Sequence, residues 1–406
     1  MIGVDPHKGS HTAVAIDGSE RQLGRLRVRA SAAQAGKLVQ WAAAWPDRCW
    51  AVEGAGGLGH LLAQQLVAAG ERVLDIQPKL GSRVRLLSSG SANKNDPNDA
   101  LSVAVAGLRS PRRREVRADG PATALKLWAK RHRDLARLRA QAACRLHALL
   151  CGLVPGGVAD EITPAQADRL LAGIEPAGPA GLARHQLAAE HLADLRHLDA
   201  QLRATRARLA DAVRACGTSL TEIFGVGPVI AALVIGDVED IARFPTRDAF
   251  ASYNGTAPIE VSSGNRVIHR LSQRGNRRLN HAIHMAAVTQ IRHPHSDGRA
   301  YYDKKTAEGK TPKEALRCLK RRISNAIWAG LRADARQAVK ASAAGPGGQP
   351  GDDSASSAAG SHPARQLFGP ATPGPAPQPT TRQPPAEAVP PGSPGRPGPR
   401  CQGRLT

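Results

Sequence analysis

The chain has 406 residues, of which 41% are hydrophobic and only 3% aromatic, so most of it can fold around two or three cores. Its 56 Lys and Arg exceed its 34 Asp and Glu and give a net charge of +22, which favours a polyanionic partner, most commonly nucleic acid. No stretch approaches the roughly 20 apolar residues of a membrane-spanning helix and no signal-peptide pattern opens the chain, so we expect a cytoplasmic protein, associated with the nucleoid if DNA is its partner.

Residues 1–115 are predicted to form an α/β domain. Three strand patterns come first, IGVD, HTAVAID and QLGRLRVRA, and the helix SAAQAGKLVQWAAAW follows them, with Ser31 as its capping residue. Next come the strand RCWAVEGA, the helix GHLLAQQLVAAG, the strand ERVLDIQP and a last helix that starts at NDPNDALSVAVAGL. The order β-β-β-α-β-α-β-α predicts a mixed sheet, in which a meander is followed by crossovers.

Residues 116–216 are predicted to form a helical, coiled-coil segment. Leu and Ala recur here at three- and four-residue spacing among many charges, which is typical of two long amphipathic helices joined by a partly helical connection. Four leucines give the second helix a coiled-coil-like seam: Leu195, Leu198, Leu202 and Leu209. The seam predicts either a hairpin packed on itself or a dimerisation arm.

The remaining chain divides in two by composition. Residues 217–335 have the pattern of a compact, mostly α-helical domain. Residues 336–406 are dominated by Pro, Gly, Ser and Ala and cannot bury enough apolar surface to offset the entropy of ordering. We expect this last segment to be a disordered tail without chemistry of its own.

Four carboxylates stand at element ends of the α/β domain. Asp5 lies in the first strand, Glu53 ends the fourth in AVEGAGG, and Asp96 and Asp99 flank the start of the last helix in KNDPNDA. Each has an ordinary explanation, since Asp5 could be a solvated strand residue and Asp96 the N-cap before Pro97. Together they predict a shared site, because strands one and four are neighbours at the centre of such a sheet and the last helix packs across them.

Such a site would suit metal ions. Oxygen-only, acid-rich sites bind Mg²⁺, and two ions about 4 Å apart can clamp a phosphodiester during in-line displacement. Zinc spacing is absent, because the six cysteines are scattered without a C-x-x-C pair. We therefore predict that Asp5, Glu53, Asp96 and Asp99 hold Mg²⁺, as two ions, with Mn²⁺ able to replace it.

A second set of residues, in the third region, favours contact with phosphate. Gly225 and Gly227 in FGVGPVIAA resemble the turn of a helix-hairpin-helix, whose N–H groups can face a phosphate, although a plain helical turn fits equally well. Residues 264–334 carry sixteen Lys and Arg against five Asp and Glu, which indicates a phosphate-backbone surface more than a solvated basic helix. The predicted nucleic-acid-binding arginines are Arg266, Arg270, Arg274, Arg277 and Arg278.

The element order and acid placement resemble the RNase H-like fold in its Holliday-junction-resolvase (RuvC-like) branch. Three sequence segments resemble a narrower family, the Asp-Glu-Asp-Asp (DEDD) insertion-sequence transposases, which are kin to the Piv DNA invertases. These segments are GVDPHKGSHTAVAI, VEGAGG and KNDPNDA. The third motif of that family usually reads K-T-D-x-x-D-A, and Asn95 stands here in place of the Thr. The resemblance implies a transposase whose metal ligands are the four acids.

The stretch FASYNGTAPIEVSSGNRVIHRLSQRGNRRLN resembles the C-terminal domain of the same family, whose pattern runs F-x-x-Y/F-x-G-L-x-P, S-G and S-x-x-G-N/H-x-x-L-R. By residue match the resemblance implies that Ser263, or its neighbour Ser262, attacks DNA and forms a phosphoserine intermediate. The family's L-R is Leu279 and Asn280 here, which displaces an arginine. A Ser-Ser-Gly turn without chemistry is the ordinary alternative.

The resemblance further implies partners: DNA at the element ends and target, a guide RNA encoded by the element, and a homo-oligomer, either dimer or tetramer, in which the active site forms across domains. Two other hypotheses remain open. A resolvase-like nuclease would use the four acids and water with Ser263 incidental, and a non-catalytic nucleic-acid-binding protein would use the carboxylates only in caps and turns.

Overall fold

The computed structural model describes residues 1–87, 95–110, 114–158, 162–263, 266–272 and 275–343. The α/β region begins with a six-stranded sheet whose spatial order is β3-β2-β1-β4-β5-β6. Its strands are β1 (Ile2–Pro6), β2 (Ser10–Ile16), β3 (Gln22–Arg29), β4 (Trp50–Glu53), β5 (Val73–Ile76) and β6 (Arg114–Glu115). The first three strands form an antiparallel meander, β1, β4 and β5 run parallel, and β6 closes the edge antiparallel to β5. The predicted mixed sheet, with strands one and four adjacent at its centre, is confirmed.

Helices cover both faces of this sheet. On one face α1 (Gln34–Ala42) and α2 (His60–Ala68) pack against Ile2 and Val4 of β1. On the other face α3 (Pro78–Leu87) and α4 (Asp96–Arg109) cover the central strands. Because side chains alternate along a strand, Gly3 and Asp5 point to the face that carries α4. This alternation turns the first acid toward the last helix.

Three details of the α/β region differ from the sequence prediction. The pattern did not predict α3 or β6, which lie beyond the fifth strand. Ser31 is not the cap of α1, since the N-cap residue is Ala33 and no side-chain hydrogen bond caps it. Helix α1 begins only at Gln34 because Ser31 and Ala33 belong to the turn that leads into it.

The helical segment folds back on itself. It consists of α5 (Pro121–Cys151), α6 (Pro164–Ala172) and α7 (Gly178–Ala215). Helices α5 and α7 pack antiparallel, since Leu146 joins Leu195 in one core cluster while Leu125 joins Leu209 in another. Within the chain, α5 and α7 therefore form the hairpin that was one of the two predicted arrangements. Leu195 and Leu209 are buried and the other two seam leucines are half-buried, and the coiled-coil geometry itself stays a prediction.

The C-terminal region is mostly helical, as predicted, with one β-hairpin. Its elements are two short 3-10 helices (Ser219–Glu222 and Ile241–Arg243), α8 (Pro228–Val238), α9 (Arg247–Asn254), β7 (Pro258–Ser263), β8 (Arg266–Leu271), α10 (Arg277–Arg292), α11 (Asp297–Ala307) and α12 (Pro312–Ala343). Leu125 and Leu209 from the base of the helical hairpin share its core with Phe250, Ile283 and Leu319. The hairpin base is thus part of the C-terminal core rather than a separate arm.

The structure bears on the predicted start of the tail and on the predicted division into regions. Helix α12 continues to Ala343, so residues 336–343 belong to a helix and not to the predicted tail, because a regular Ala-, Arg- and Lys-rich pattern persists there before the Pro- and Gly-rich composition begins. The rest of that tail, 344–406, lies outside the described residues. A single contact-defined unit contains all the described residues, and the division into 1–115, 116–216 and 217–335 stays a prediction.

Charged contacts join the α/β region to the C-terminal region. Arg114 of β6 donates at 3.0 Å to Asp75 and at 2.7 Å to Glu239 at the end of α8. Lys126 of α5 donates to the same Glu239 at 2.8 Å. The other oxygen of Asp75 accepts from the amide of Ala55, two residues beyond Glu53. A continuous chain of ionic and hydrogen bonds therefore runs from the loop after β4 to α8.

Among the described helices, none is both long and apolar enough to cross a bilayer.

Candidate metal centre and nucleic-acid interface

The four predicted acids lie on elements that meet at one edge of the sheet. β1 and β4 are parallel neighbours, with Val4 opposite Val52, so Asp5 and Glu53 emerge side by side at their carboxyl ends. Asp96 and Asp99 occupy the first turn of α4, which packs across β1 and β2. The charges of Asp5 and Asp99 raise the pKa of Glu53, and the charges of Asp99 and Asp96 raise that of Asp5. The structure therefore brings together the four acids that the sequence pattern grouped.

Close approach of α4 to the sheet depends on two glycines. A Cβ at Gly3 would overlap the carbonyl oxygen of Ala100 and the amide nitrogen of Ala104, and would lie 2.7 Å from the Ala104 Cβ. A Cβ at Gly107 would lie 2.7 Å from the Ala51 Cβ on β4. Since real Cβ contacts are not this short, only glycine lets α4 lie directly on β1 and β4.

The start of α4 differs by one residue from the prediction. Its N-cap is Asn95, whose Oδ1 accepts from the Asn98 amide at 2.9 Å, and Asp96 is the first helical residue. The predicted capping role of Asp96 is therefore wrong, and Pro97 occupies the second helical position. Asn is as good an N-cap as Thr, so the Asn95 substitution preserves the cap. Because Asn95 caps the helix, the Asp96 carboxylate is available for other contacts.

A histidine that the sequence analysis left unassigned lies among the acids. His7 follows β1 directly, and its Nε2 lies 2.9 Å from Oδ2 of Asp5 and 3.5 Å from Oδ1 of Asp96. Cations approach the cluster from its other sides. Arg85 of α3 forms an ion pair with Asp99, and an Arg27 nitrogen lies 3.6 Å from Asp96. Nothing in the sequence pattern distinguished His7 from a surface turn residue, because its position depends on where α4 docks.

The electrostatics of the cluster favour a bound cation. Burial raises the pKa of Asp5, which is 5% exposed, and the charges of Asp99 and Asp96 raise it further, while His7 opposes them. Burial likewise raises the pKa of Glu53, with Asp5 and Asp99 adding to the shift and Arg85 opposing it. Acids that raise one another's pKa in this way repel when they are all ionised at neutral pH.

Two observations fit a divalent ion. The donor set is rich in carboxylate oxygen, which hard cations prefer, and one ligand atom from each of Asp5, His7 and Asp96 lies within 4.8 Å of the others. In addition, Thr12 pairs with Asp5 across the strands, so the two side chains share a face. Thr12 is 3% exposed, and its buried hydroxyl has no hydrogen-bond partner among the described residues. A buried hydroxyl without a partner, on the same face as a buried carboxylate, is an exception that a bound ion or water would explain.

Asp5→Asn is expected to stabilise the metal-free protein. A carboxyl whose pKa is raised by folding binds its proton more tightly in the folded state, so stability falls as the pH rises from the unfolded-state pKa through the folded one. At pH 7.5 this penalty is fully present in wild type and absent in the Asn variant. We expect the variant to melt about 2–4 °C higher with EDTA present and to lose this advantage below pH 4. Differential scanning fluorimetry measures both.

Asp17→Asn provides the control, because Asp17 lies in an exposed turn where amide hydrogen bonds from Arg21 and Ser19 lower its pKa. Its neutralisation should not raise the melting temperature. Divalent metal should raise the melting temperature of wild type more than that of Asp5→Asn. Equal melting of wild type and Asp5→Asn in EDTA at pH 7.5 would contradict the repulsion inferred here.

The serine pair lies at the end of β7. In the register of the hairpin, Ser262 faces Val267 and Ser263 faces Arg266. The Ser262 hydroxyl is exposed and donates to Glu260 at 2.6 Å. The side chains of Ser263 and Arg266 are not among those described, and Gly264 and Arg274 lie outside the described residues. The backbone of Ser263 is thus placed at the tip of a two-stranded hairpin, while its role stays a prediction.

The other predicted nucleic-acid contacts fall into two groups. Arg270 on β8 and Arg277 and Arg278 at the start of α10 are exposed, as a phosphate-binding role requires. Gly225 has φ +83°, and a Cβ there would lie 2.8 Å from the Ala286 carbonyl oxygen, so packing against α10 accounts for this glycine. Gly227 is the N-cap of α8. The element before this turn is a 3-10 turn rather than the expected apolar helix, which weakens the helix-hairpin-helix likeness.

A lysine occupies the neighbourhood of the displaced arginine. Asn280 donates to the Asn254 carbonyl at 2.8 Å and accepts from Nζ of Lys320 on α12 at 2.8 Å. Lys320 is half-buried, and burial together with nearby Arg277 lowers its pKa. The sequence pattern could not identify this cation, since it lies 40 positions along the chain from Asn280.

Comparison with known proteins places this chain among mobile-element proteins. Residues 2–155 match the family model of DEDD transposases of the IS110 type, described as "Transposase", and residues 217–303 match the model described as "Transposase IS116/IS110/IS902 family". The 44.8 kDa uncharacterized protein of insertion element IS116 from Streptomyces clavuligerus is 29% identical over 82% of this chain and 94% of its own length. The 42 kDa uncharacterized protein of IS900 from Mycobacterium paratuberculosis is 27% identical over 81% of this chain and 95% of its own length. The mini-circle putative transposase for IS117 from Streptomyces coelicolor is 27% identical over 69% of this chain and 81% of its own length.

Proposed function

Because the chain belongs to the DEDD-type insertion-sequence transposases, we propose that it is a recombinase that cuts and rejoins DNA with metal ions held by four acids and a serine nucleophile. Membership of this family implies DNA binding, and the N-terminal domain is RNase H-like. The observation that carries the proposal is the convergence of Asp5, Glu53, Asp96 and Asp99 in a protein of net charge +22. A basic protein that concentrates acid at one point fits metal ions facing a phosphodiester.

The four acids would hold divalent ions, Mg²⁺ or in its place Mn²⁺, as a pair. When bound, such ions neutralise phosphate charge and stabilise the attacking and leaving oxygens. The residues of the chain supply position and restraint. Gly81 on α3 lies close enough to Glu53 that a Cβ there would be 3.2 Å from Oε1, and Gly3 keeps α4 against Asp5. Arg85 and Arg27 offset the charges of Asp99 and Asp96 until the ions bind.

Ser263 would be the nucleophile. Its hydroxyl oxygen attacks the phosphorus of a phosphodiester, a phosphoserine bond forms, one bond from phosphorus to a DNA oxygen breaks, and the serine proton is released as the freed strand end takes one up. Attack by the hydroxyl of another strand end on the phosphoserine then restores the serine and joins DNA. Support comes from the family match to residues 217–303, which include Ser263.

The partners follow from the same proposal. Arg270 on β8 and Arg277 and Arg278 at the start of α10 are exposed and would contact DNA phosphates. A guide RNA encoded by the element would specify the target by base pairing, with the helical hairpin and the C-terminal region holding it. A dimer or tetramer would bring the acids of one protomer to the serine of another. An immunoprecipitation that recovers no element-derived RNA would remove the guide from this proposal.

The test uses the gene with its native flanking DNA in a bacterial host. Amplification across the outward-facing ends detects the excised circular junction, and Asp96→Asn is expected to lower its amount by at least about 10³-fold, because a metal ligand is lost. Asp119→Asn is the matched control, since Asp119 is an exposed carboxylate paired with His60 at 3.0 Å. An undiminished junction in Asp96→Asn would leave a non-catalytic DNA-binding protein as the better description.

A further inference from the structure

We propose that His7 is a ligand of one of the two metal ions, so that this ion position takes Mn²⁺ in preference to Mg²⁺. The inference rests on the proposed metal-dependent recombinase and adds a nitrogen donor to its four acids. His7 Nε2 lies 2.9 Å from Asp5 and 3.5 Å from Asp96, while these acids come from different elements, β1 and α4. The imidazole therefore lies between the two carboxylates that a shared ion would bridge.

The two distances from His7 agree with an ion that it shares with either acid. Donors bound to a single divalent ion at about 2.1 Å each can be no more than about 4.2 Å apart. Both separations from His7 Nε2 satisfy this limit, and the three donor atoms lie within 4.8 Å of one another. His7 follows the end of β1, and the 2.9 Å separation of its Nε2 from Asp5 places its ring beside that carboxylate. Only small adjustments would bring the three donors around an ion.

The buried hydroxyl of Thr12 is an independent sign of a ligand here. Thr12 pairs with Asp5 across the strands and lacks a hydrogen-bond partner among the described residues. Ligating carboxylates are generally held by a hydrogen bond from a neighbouring group, and the Thr12 hydroxyl, which forms no hydrogen bond to Asp5 in this structure, is available to donate one to a group that binds beside it. The acid cluster thus has donor atoms for an ion, and the Thr12 hydroxyl on the same face of the sheet has no other partner among the described residues.

The chemistry of the donors decides the metal. Mg²⁺ takes oxygen ligands almost exclusively, while first-row transition ions accept imidazole nitrogen beside carboxylate oxygen. A position formed by Asp5, His7 and Asp96 is therefore suited to Mn²⁺, whereas a position on Glu53 and Asp99, which has only oxygen donors among these residues, suits Mg²⁺. The two ions of the site would not be equivalent.

The experiment uses the full-length protein, freed of metal and given less than one Mn²⁺ per chain. Electron spin echo spectroscopy detects modulation from a directly bound imidazole nitrogen. We expect this modulation in wild type and in His60→Gln, the control histidine that pairs with Asp119 outside the cluster, and its loss in His7→Gln. We also expect His7→Gln to weaken Mn²⁺ binding about tenfold and Mg²⁺ binding less than threefold in calorimetry.

The outcomes separate this inference from the proposed function. Mn²⁺ bound without nitrogen modulation, or modulation that survives in His7→Gln, would show that His7 is not a ligand. Unchanged or tighter Mn²⁺ binding in His7→Gln would show that the histidine only fills the place of the ion and must move away. No Mn²⁺ or Mg²⁺ binding to wild type, together with none to Asp96→Asn, would instead overturn the four-acid metal site.

Discussion

Gly3→Ala is expected to lower the free energy of unfolding by at least about 3 kcal/mol and to abolish formation of the excised junction. The added Cβ would overlap backbone atoms of α4 at Ala100 and Ala104, and backbone in a helix cannot move aside as a flexible side chain can. Helix α4 would therefore shift away from β1 and carry Asp96 and Asp99 with it. Urea denaturation followed by circular dichroism measures the first effect, and the junction assay measures the second.

Gly9→Ala is the matched control for this substitution. Gly9 lies in the turn after the same strand, and a Cβ there would have no heavy atom within 4 Å among those compared. We expect its stability and junction yield to stay near wild type. If Gly3→Ala still folds, Mn²⁺ titration should show weakened binding, because the two acids of α4 no longer reach Asp5. A Gly3→Ala protein with wild-type stability and metal affinity would contradict the close packing of α4.

The composition of the acid cluster could be predicted from sequence because it depends on strong regularities. Short apolar runs define β1 and β4, and the element order makes these strands neighbours in the sheet, which places Asp5 beside Glu53. The capping pattern around Pro97 locates the start of α4 to within one residue. That one residue could not be decided, since Asn95 and Asp96 are equally good capping residues.

Other features depend on tertiary approach and leave no local pattern. His7 becomes a neighbour of Asp96 only because α4 docks on β1. Helix α3 has a Pro and a Gly in PKLGSRVRLL, a composition typical of a loop. A Cβ at its Gly81 would nevertheless lie 3.2 Å from Oε1 of Glu53. Lys320 meets Asn280 through the packing of α12 on α10. In each case the residue pair is far apart in sequence or its element is weakly marked, so only the folded chain reveals it.

Ser263→Ala is expected to lower the yields of both the covalent protein–DNA adduct and the excised junction by about 10³-fold or more, because the proposed mechanism has no other nucleophile. Denaturing gel electrophoresis of the protein incubated with labelled element ends and Mg²⁺ detects the adduct. Ser262→Ala is the matched control. It removes an exposed hydrogen bond to Glu260 and should change the yield by less than about threefold, as exposed substitutions usually do.

The pair of variants separates the remaining mechanisms by position as well as by chemistry. The two substitutions test neighbouring positions of β7, and of these Ser262 has a hydroxyl that donates to Glu260. Loss of the adduct in Ser262→Ala alone would move the nucleophile one residue earlier, to the side that carries Glu260. DNA cleavage that persists in both variants but disappears in Asp96→Asn would make water the nucleophile and the protein a resolvase-like nuclease, since the four acids would then act without a serine. Only selective loss in Ser263→Ala, with Asp96→Asn equally inactive, requires the hairpin tip and the acid cluster to act on the same phosphodiester.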